Sequence, residues 1–451
     1  MIRWFVGAVL SGAAFLGAAS SALAQEEPRT WVDPQTGHRI VRLSDVPGSS
    51  TLYFHDESFT PEGDKLIFNT PQGVAMMEVA KIGTPDQKLD IVTSNGRGAI
   101  MARRSREVYV SRGGRGGRGR GAPATPPAGA EAQANVPPGA TVFAVNVDTK
   151  AERPIPNAVS TVISCDESWG FIVLRGDAAI DPSGKTPAPP QREPIPQLQR
   201  MFPGKKLEDL TPDQQYSVNK EDGLARRAIN PAAGAYTFIN LKTGERKTGG
   251  YQYGDLNHQQ FNPRIPDLLL YAHEGTWHEV ERTWNIHTDG TGMKLMHKRT
   301  MDMEINGHEW WSFDGKTVWF DLQTPRSEDF WIAGVNIDTM KETRYHITKD
   351  TWGVHFNSSR DDTMFVSDGG DPSQVAYSTD GMWINLFRVQ PDGTLAHERL
   401  ASMAKHNYVT GKGGVEPNAH ITPDKKWVIF SGQFADGQRN VYAVEIAKAG
   451  Q

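Results

Sequence analysis

His-Glu-Trp-Trp-Ser-Phe-Asp-Gly-Lys-Thr-Val-Trp-Phe, residues His308 to Phe320, is one copy of a phrase that runs through the whole chain. Each copy has a polar start, a tight turn and an apolar strand. Further copies read His-Asp-Glu-Ser-Phe-Thr-Pro-Glu-Gly-Asp-Lys-Leu-Ile-Phe from His55, His-Gln-Gln-Phe-Asn-Pro from His258, and His-Phe-Asn-Ser-Ser-Arg-Asp-Asp-Thr-Met-Phe-Val from His355. The last reads Asn-Ala-His-Ile-Thr-Pro-Asp-Lys-Lys-Trp-Val-Ile-Phe from Asn418, and two weaker starts without histidine lie at Gly98 to Ser111 and Thr161 to Arg175. A turn followed by an apolar strand, repeated at intervals, marks the blades of a β-propeller.

The starts at His258, His308, His355 and Asn418 are spaced by 50, 47 and 63 residues. That spacing suits four-stranded blades of about 40 to 50 residues with loop insertions. Later strands that end in turns run from Gly73 to Val79 through to Asn440 to Ile446, seven in all, so the sequence predicts an all-β fold of seven blades. The seventh blade runs out at the C-terminus. Its outer strand is expected from His38 to Leu43, an N-terminal strand that closes the ring and removes an exposed edge.

The 451 residues carry a net charge of -5, with 38% hydrophobic and 22% charged residues, which is ordinary globular composition and gives no whole-protein argument for nucleic-acid binding. Residues 1 to 24 combine an early Arg3, an apolar run from Trp4 to Ala19 and Ala22-Leu23-Ala24, the pattern of a cleaved secretory signal. A periplasmic or secreted protein without a membrane span is expected, its propeller filling residues 25 to 451. Its single cysteine, Cys165, permits no internal disulfide, so stability must come from the core.

Two insertions interrupt the repeat. Residues 112 to 140 open with Arg-Gly-Gly repeats and continue rich in Pro and Ala; an Arg-Gly segment suits single-stranded nucleic acid inside a cell, but on an exported protein it reads as a surface loop. Residues 181 to 231 include Leu207 to Arg227, whose Thr211-Pro212-Asp213-Gln214 predicts a helix start. This second insertion is either a lid beside the channel or a structural excursion.

Because radial repetition brings equivalent positions to one axis, His258, His308, His355 and Asn418 are expected to converge in the central channel. Around them stand Tyr271-Ala272-His273-Glu274-Gly275-Thr276-Trp277, Val280-Glu281-Arg282-Thr283-Trp284, Gly307-His308-Glu309-Trp310-Trp311 and Glu416-Pro417-Asn418-Ala419-His420. In these segments, and in the His55 to Phe68 phrase, the chain resembles the oligogalacturonate lyases, seven-bladed propellers that degrade pectin fragments. The resemblance spans roughly residues 31 to 446 outside the two insertions.

It implies metal-assisted β-elimination on a short uronate chain, with His308 as Brønsted base and Arg282 binding the acidic sugar. It also implies a divalent ion, Mn²⁺ as is typical of the family with Ca²⁺ or Mg²⁺ as alternatives, held by His355, Glu416, Asn418 and His420. His258, His273, Glu274, Trp277 and Trp311 are expected to line the substrate pocket. The chemistry is coherent: the C5 proton of a uronate is weakly acidic, a cation stabilises the enediolate-like carboxylate, and a neutral histidine takes the proton. The chain departs from the family pattern in the last blade, where Glu416 and Asn418 stand at ligand positions and His420 is displaced. A noncatalytic periplasmic propeller resembling TolB, binding protein or glycan at the channel face, is the rival reading. Hydrolysis by two carboxylates finds no acid pair to carry it.

Overall fold

Alternating apolar residues along short strands, separated by Gly- and Asp-containing turns, fold into seven antiparallel sheets in a computed structural model that describes residues 28–113, 141–189, 192–372, 374–408, 414–434 and 437–450. Blade 1 comprises Lys65–Thr70, Gly73–Glu78 and Asp90–Thr93, and blade 2 Arg97–Met101, Glu107–Arg112, Thr141–Asn146 and Glu152–Pro154. Blade 3 comprises Trp169–Arg175, Ala233–Asn240 and Arg246–Tyr253; blade 4 runs from Asp255–Phe261 to Lys294–Leu295, blade 5 from Ile305–Trp311 to Glu342–Ile347, and blade 6 from Phe356–Ser358 to Leu395–Ser402. The seven-bladed all-β fold is therefore as the repeat predicts.

Ring closure also takes the expected form. His38–Arg42 pairs antiparallel with Arg439–Lys448 of blade 7, Ile40 opposite Val444 and Val41 opposite Ala443, and Thr30–Val32 adds a fifth strand outside it. Buried side chains of neighbouring blades interlock: Val41, Leu66, Phe68, Met77, Trp427 and Ile429 share one apolar cluster between blades 7 and 1. Burial of this kind, at roughly 25 cal/mol per Å² of apolar surface, is what holds a ring with one free, buried cysteine.

Blades 1 and 3 have three strands rather than four. In blade 1 the innermost segment makes only the isolated bridges Ser50 to Asn69 and Phe59 to Leu66, and Tyr53-Phe54-His55 instead crosses the channel axis. There Tyr53 packs edge-on to His258 and His355, Phe54 lies against His308, and Asn418 Oδ1 accepts from Phe54 N at 3.1 Å.

Residues 1 to 27, which include the expected signal sequence, and residues 114 to 140 of the Arg-Gly segment lie outside the described residues. The second insertion leaves blade 3 between its first two strands and forms the helix Pro212–Ile229. Thr211 caps it, accepting from Gln214 N, while Gln214 Oε1 accepts from Thr211 N, a reciprocal capping box. Arg326 donates to Glu221 at 3.0 Å and Gln197 to Glu279 at 3.0 Å, which fastens the insertion across loops of blades 4 and 5 on the side of the ring that carries Trp277. No described helix is long and apolar enough to cross a membrane.

Candidate active site

The inner strands of blades 4 and 5 are bulged at the same place, between Asn257 and Gln260 and between Asn306 and Glu309. A bulge re-aims side chains, and here it turns His258 and His308 into the channel. His258 adopts φ 52°, a left-handed conformation that a non-glycine residue takes only when its surroundings hold it there. At Gly307 a Cβ would lie 2.6 Å from Asp321 Oδ2, so the glycine of Gly-His-Glu is required by the buried carboxylate beneath it. Burial pushes that Asp321 carboxyl up to about 7, with Trp352 and Gln323 donating to it.

The three channel histidines come together as the repeat predicts. His258 and His308 rings lie 5.2 Å apart and nearly parallel, and His308 and His355 lie 4.6 Å apart. Trp277 packs edge-on to His308 at 4.8 Å. His308 Nδ1 is 2.8 Å from the carbonyl of Val354, which can only accept. The Nδ1 proton is thereby fixed and the Nε2 lone pair is left as the basic nitrogen. Burial, and then the positive charge of His355, His258 and Arg282, keep the imidazole neutral well below its ordinary pKa.

His355 is set by an acceptor the sequence reading missed. Asp368 Oδ2 lies 2.8 Å from His355 Nδ1 and 3.2 Å from the Tyr408 hydroxyl that donates to it, and Asp368 Oδ1 accepts from His355 N at 3.0 Å. Burial disfavours the imidazolium, but Asp368 outweighs it and raises the His355 pKa. Glu416 adds to that field and Lys220, from the insertion helix, opposes it.

Arg282 is fully buried and is the hub of a second network. It donates to Glu309 at 3.2 Å and Glu274 at 3.3 Å, sits 3.3 Å from His258 Nδ1, and places its guanidinium over Trp277 at 4.9 Å. Glu309, another residue without a predicted role, lies 3.1 Å from His258 Nδ1. Burial pushes the Glu309 carboxyl up to about 7, whereas Arg282 overcomes the burial of Glu274 and holds it near 2. Arg282 thereby positions His258, Glu274 and Trp277.

Other predicted positions lie apart. His273 Nε2 meets Gln252 Oε1 at 2.6 Å on the blade 3 side, and burial takes its pKa down to about 4. Trp311 donates to Gln260 O at 3.3 Å, and both it and His420 line clefts at the opposite mouth. Of the expected metal ligands, His355 and Glu416 share one electrostatic neighbourhood, but Asn418 is spent on Phe54 N and Glu416 O, and His420 Nε2 lies 3.4 Å from Leu52 O. Among the described residues no three His, Cys, Asp or Glu side chains form a metal-holding group, so the four-residue set does not fit an ion as arranged.

The oligogalacturonate lyase family model matches residues 226–449, from the end of the insertion helix through the last blade. The family resemblance read from the sequence is borne out. A solved oligogalacturonate lyase in complex with manganese superposes with a TM-score of 0.64 at 19% identity, over 93% of this chain and 96% of that one. An oligogalacturonate lyase from Vibrio parahaemolyticus superposes with a TM-score of 0.62 at 16% identity, over 94% of this chain and 97% of that one. These likenesses establish that the propeller of the oligogalacturonate lyases is shared. No curated protein sequence matches the chain.

Proposed function

We propose that the protein is an exported polysaccharide lyase that cleaves short uronate-containing oligosaccharides by β-elimination, leaving a 4,5-unsaturated sugar. The observation that carries this reading is the state of His308: Nδ1 is committed to Val354 O, the ring is held neutral, and Nε2 faces a channel lined by two more histidines and Trp277. A neutral imidazole of fixed tautomer is what abstraction of a weakly acidic C–H requires.

In the proposed reaction His308 Nε2 takes the C5 proton, electron density moves into the C4–C5 bond, and the O4 substituent departs with the C–O bonding pair. The carboxylate of the reacting sugar gains charge in that step. His355, whose protonated form Asp368 favours, and Lys220 at the channel mouth offer positive charge to it. Trp277, clamped by the Arg282 guanidinium and by donation to Glu274 at 3.2 Å, provides an aromatic wall for a sugar ring.

The test is incubation of purified protein with galacturonate, glucuronate, mannuronate and guluronate oligosaccharides, read as absorbance near ~235 nm from the conjugated unsaturated product, with and without EDTA and Mn²⁺. Growth of absorbance that disappears in His308→Ala supports the lyase. A folded protein silent on the whole panel refutes elimination on these substrates and shifts the weight to a binding propeller.

A further inference from the structure

The insertion helix carries a cationic face beside the candidate active site. On the helix Pro212–Ile229, Tyr216, Lys220, Gly223 and Arg227 recur at steps of four, three and four, which sets them in one stripe. Ser217, Val218, Glu221, Leu224 and Ala225 make up the buried side. Tyr216 is 53% exposed and the Arg227 side chain 55%. From Tyr216 to Arg227 the stripe runs about 16 Å, long enough for more than one sugar ring.

The loop that carries Trp277 fixes where this face lies. Thr276 Oγ1 donates to Glu221 O at 3.4 Å, and a Cβ on Gly275 would stand 3.6 Å from Ala228 Cβ. Lys220 and Trp277 are each one residue from the contact between Glu221 and Thr276, and Trp277 packs on His308. The Lys220 charge is felt as far as His355.

Two features of the stripe have no role inside the protein. Lys220 is exposed and makes no hydrogen bond or ion pair with any described residue. Gly223 has nothing within 4 Å of the place a Cβ would take, so no neighbour in the fold requires a glycine there. A glycine inside a helix is destabilising relative to alanine, and it suits a place where a ligand approaches the backbone closely. Arg227 reaches Asp255 at 3.9 Å, and that carboxylate is already held by Arg175. The acid on this side of the helix, Asp213, stands about two turns from Lys220.

We propose that this face is a subsite for an acidic oligosaccharide, holding the sugars next to the one in the channel, with Lys220 and Arg227 on their carboxylates and a ring lying close over Gly223. Ammonium and guanidinium groups only donate, which matches a carboxylate, and the exposed Tyr216 ring offers a face to the apolar side of a sugar. That the anion is a uronate chain rests on the lyase reading; the stripe itself does not.

The test is calorimetric titration of His308→Gln protein, which leaves the chain uncut, with trigalacturonate and with its fully methyl-esterified counterpart. The neutral ester should bind at least about tenfold more weakly. Lys220→Gln in that background should weaken trigalacturonate binding about three- to tenfold, the worth of an exposed ion pair, and Lys220→Arg should restore most of it. Gly223→Leu separates a subsite from an effect on the fold. A leucine at an open helical position should hold or raise the melting temperature, yet by covering the face it should weaken trigalacturonate binding at least about tenfold.

Equal affinity for the ester, no effect of Lys220→Gln, unchanged affinity in Gly223→Leu, or no binding of trigalacturonate overturns the proposal. Unsaturated product from the wild-type protein, with binding indifferent to Lys220, keeps the lyase and removes the subsite. Binding that depends on Lys220, with no product from the wild-type protein, keeps the subsite and removes the lyase.

Discussion

His258 and His308 stack ring on ring, with centroids 5.2 Å apart and planes 7° from parallel. Protonation of either ring disfavours protonation of the other, and both lie near the buried Arg282. The pKa of His308 is displaced well below its ordinary value, so the base stays available as pH falls. The elimination rate is therefore expected to hold constant from pH 7.5 down to pH 6, measured at saturating substrate. In His258→Asn, which removes one repelling charge, the acid limb should move to higher pH. A wild-type rate that already halves near pH 6.5 would contradict the assignment.

Replacing His308 by Ala should lower kcat by about 10²- to 10⁴-fold, the usual contribution of a positioned base, with a much smaller change in melting temperature. Steady-state kinetics beside a thermal melt separate the two. A comparable fall in stability would mark His308 as a packing residue.

Arg282→Ala acts differently. It leaves Glu274 and Glu309 buried without their shared cation, and removal of one partner from a buried charge network costs about 3 to 5 kcal/mol. Urea unfolding should show that loss. Arg282→Lys should recover part of the stability but not the stacked geometry over Trp277.

Asp321 makes stability depend on pH. Burial raises its folded pKa to about 7, above the 3.8 of a free aspartate. The neutral form is favoured in the fold, so this contribution is complete below pH 3.8 and is lost as pH rises through 7. The melting temperature should fall between about pH 4 and 7, and the slope should flatten in Asp321→Asn. Gly307→Ala, whose Cβ would press on the same carboxylate, should destabilise by about 1 to 3 kcal/mol, the range for overpacking a tight site.

Metal addition is a direct check on the donor arrangement. With Asn418 and His420 engaged elsewhere, 1 mM Mn²⁺ should raise the melting temperature by less than about 2 °C, the size of shift that binding weaker than about 0.1 mM would give. A larger shift, or activity abolished by EDTA and restored by Mn²⁺, would show that these side chains regroup around an ion.

The blades were legible because one phrase marks the turn of each inner strand, and the period of the turns is the period of the fold. The closing strand His38–Arg42 followed from the shortfall in blade 7. The site was legible only at the bulges. His258 and His308 sit where the strand is re-aimed, whereas Trp311 is three residues farther along, about 10 Å at the rise of a strand, and so reaches the other mouth. Asp368 and Tyr408 left no signal, since each lies outside the phrase and meets His355 only through tertiary packing. Arg282 lies beside His258, and sequence could not show that two glutamates accept from it.

The crossing of the axis by Tyr53, Phe54 and His55 makes each mouth a dead end. A glycan cannot be threaded through the ring and released on the far side. On the proposed lyase reading, a glycan held beside His308 enters and leaves by the same mouth, a route suited to short fragments and free chain ends.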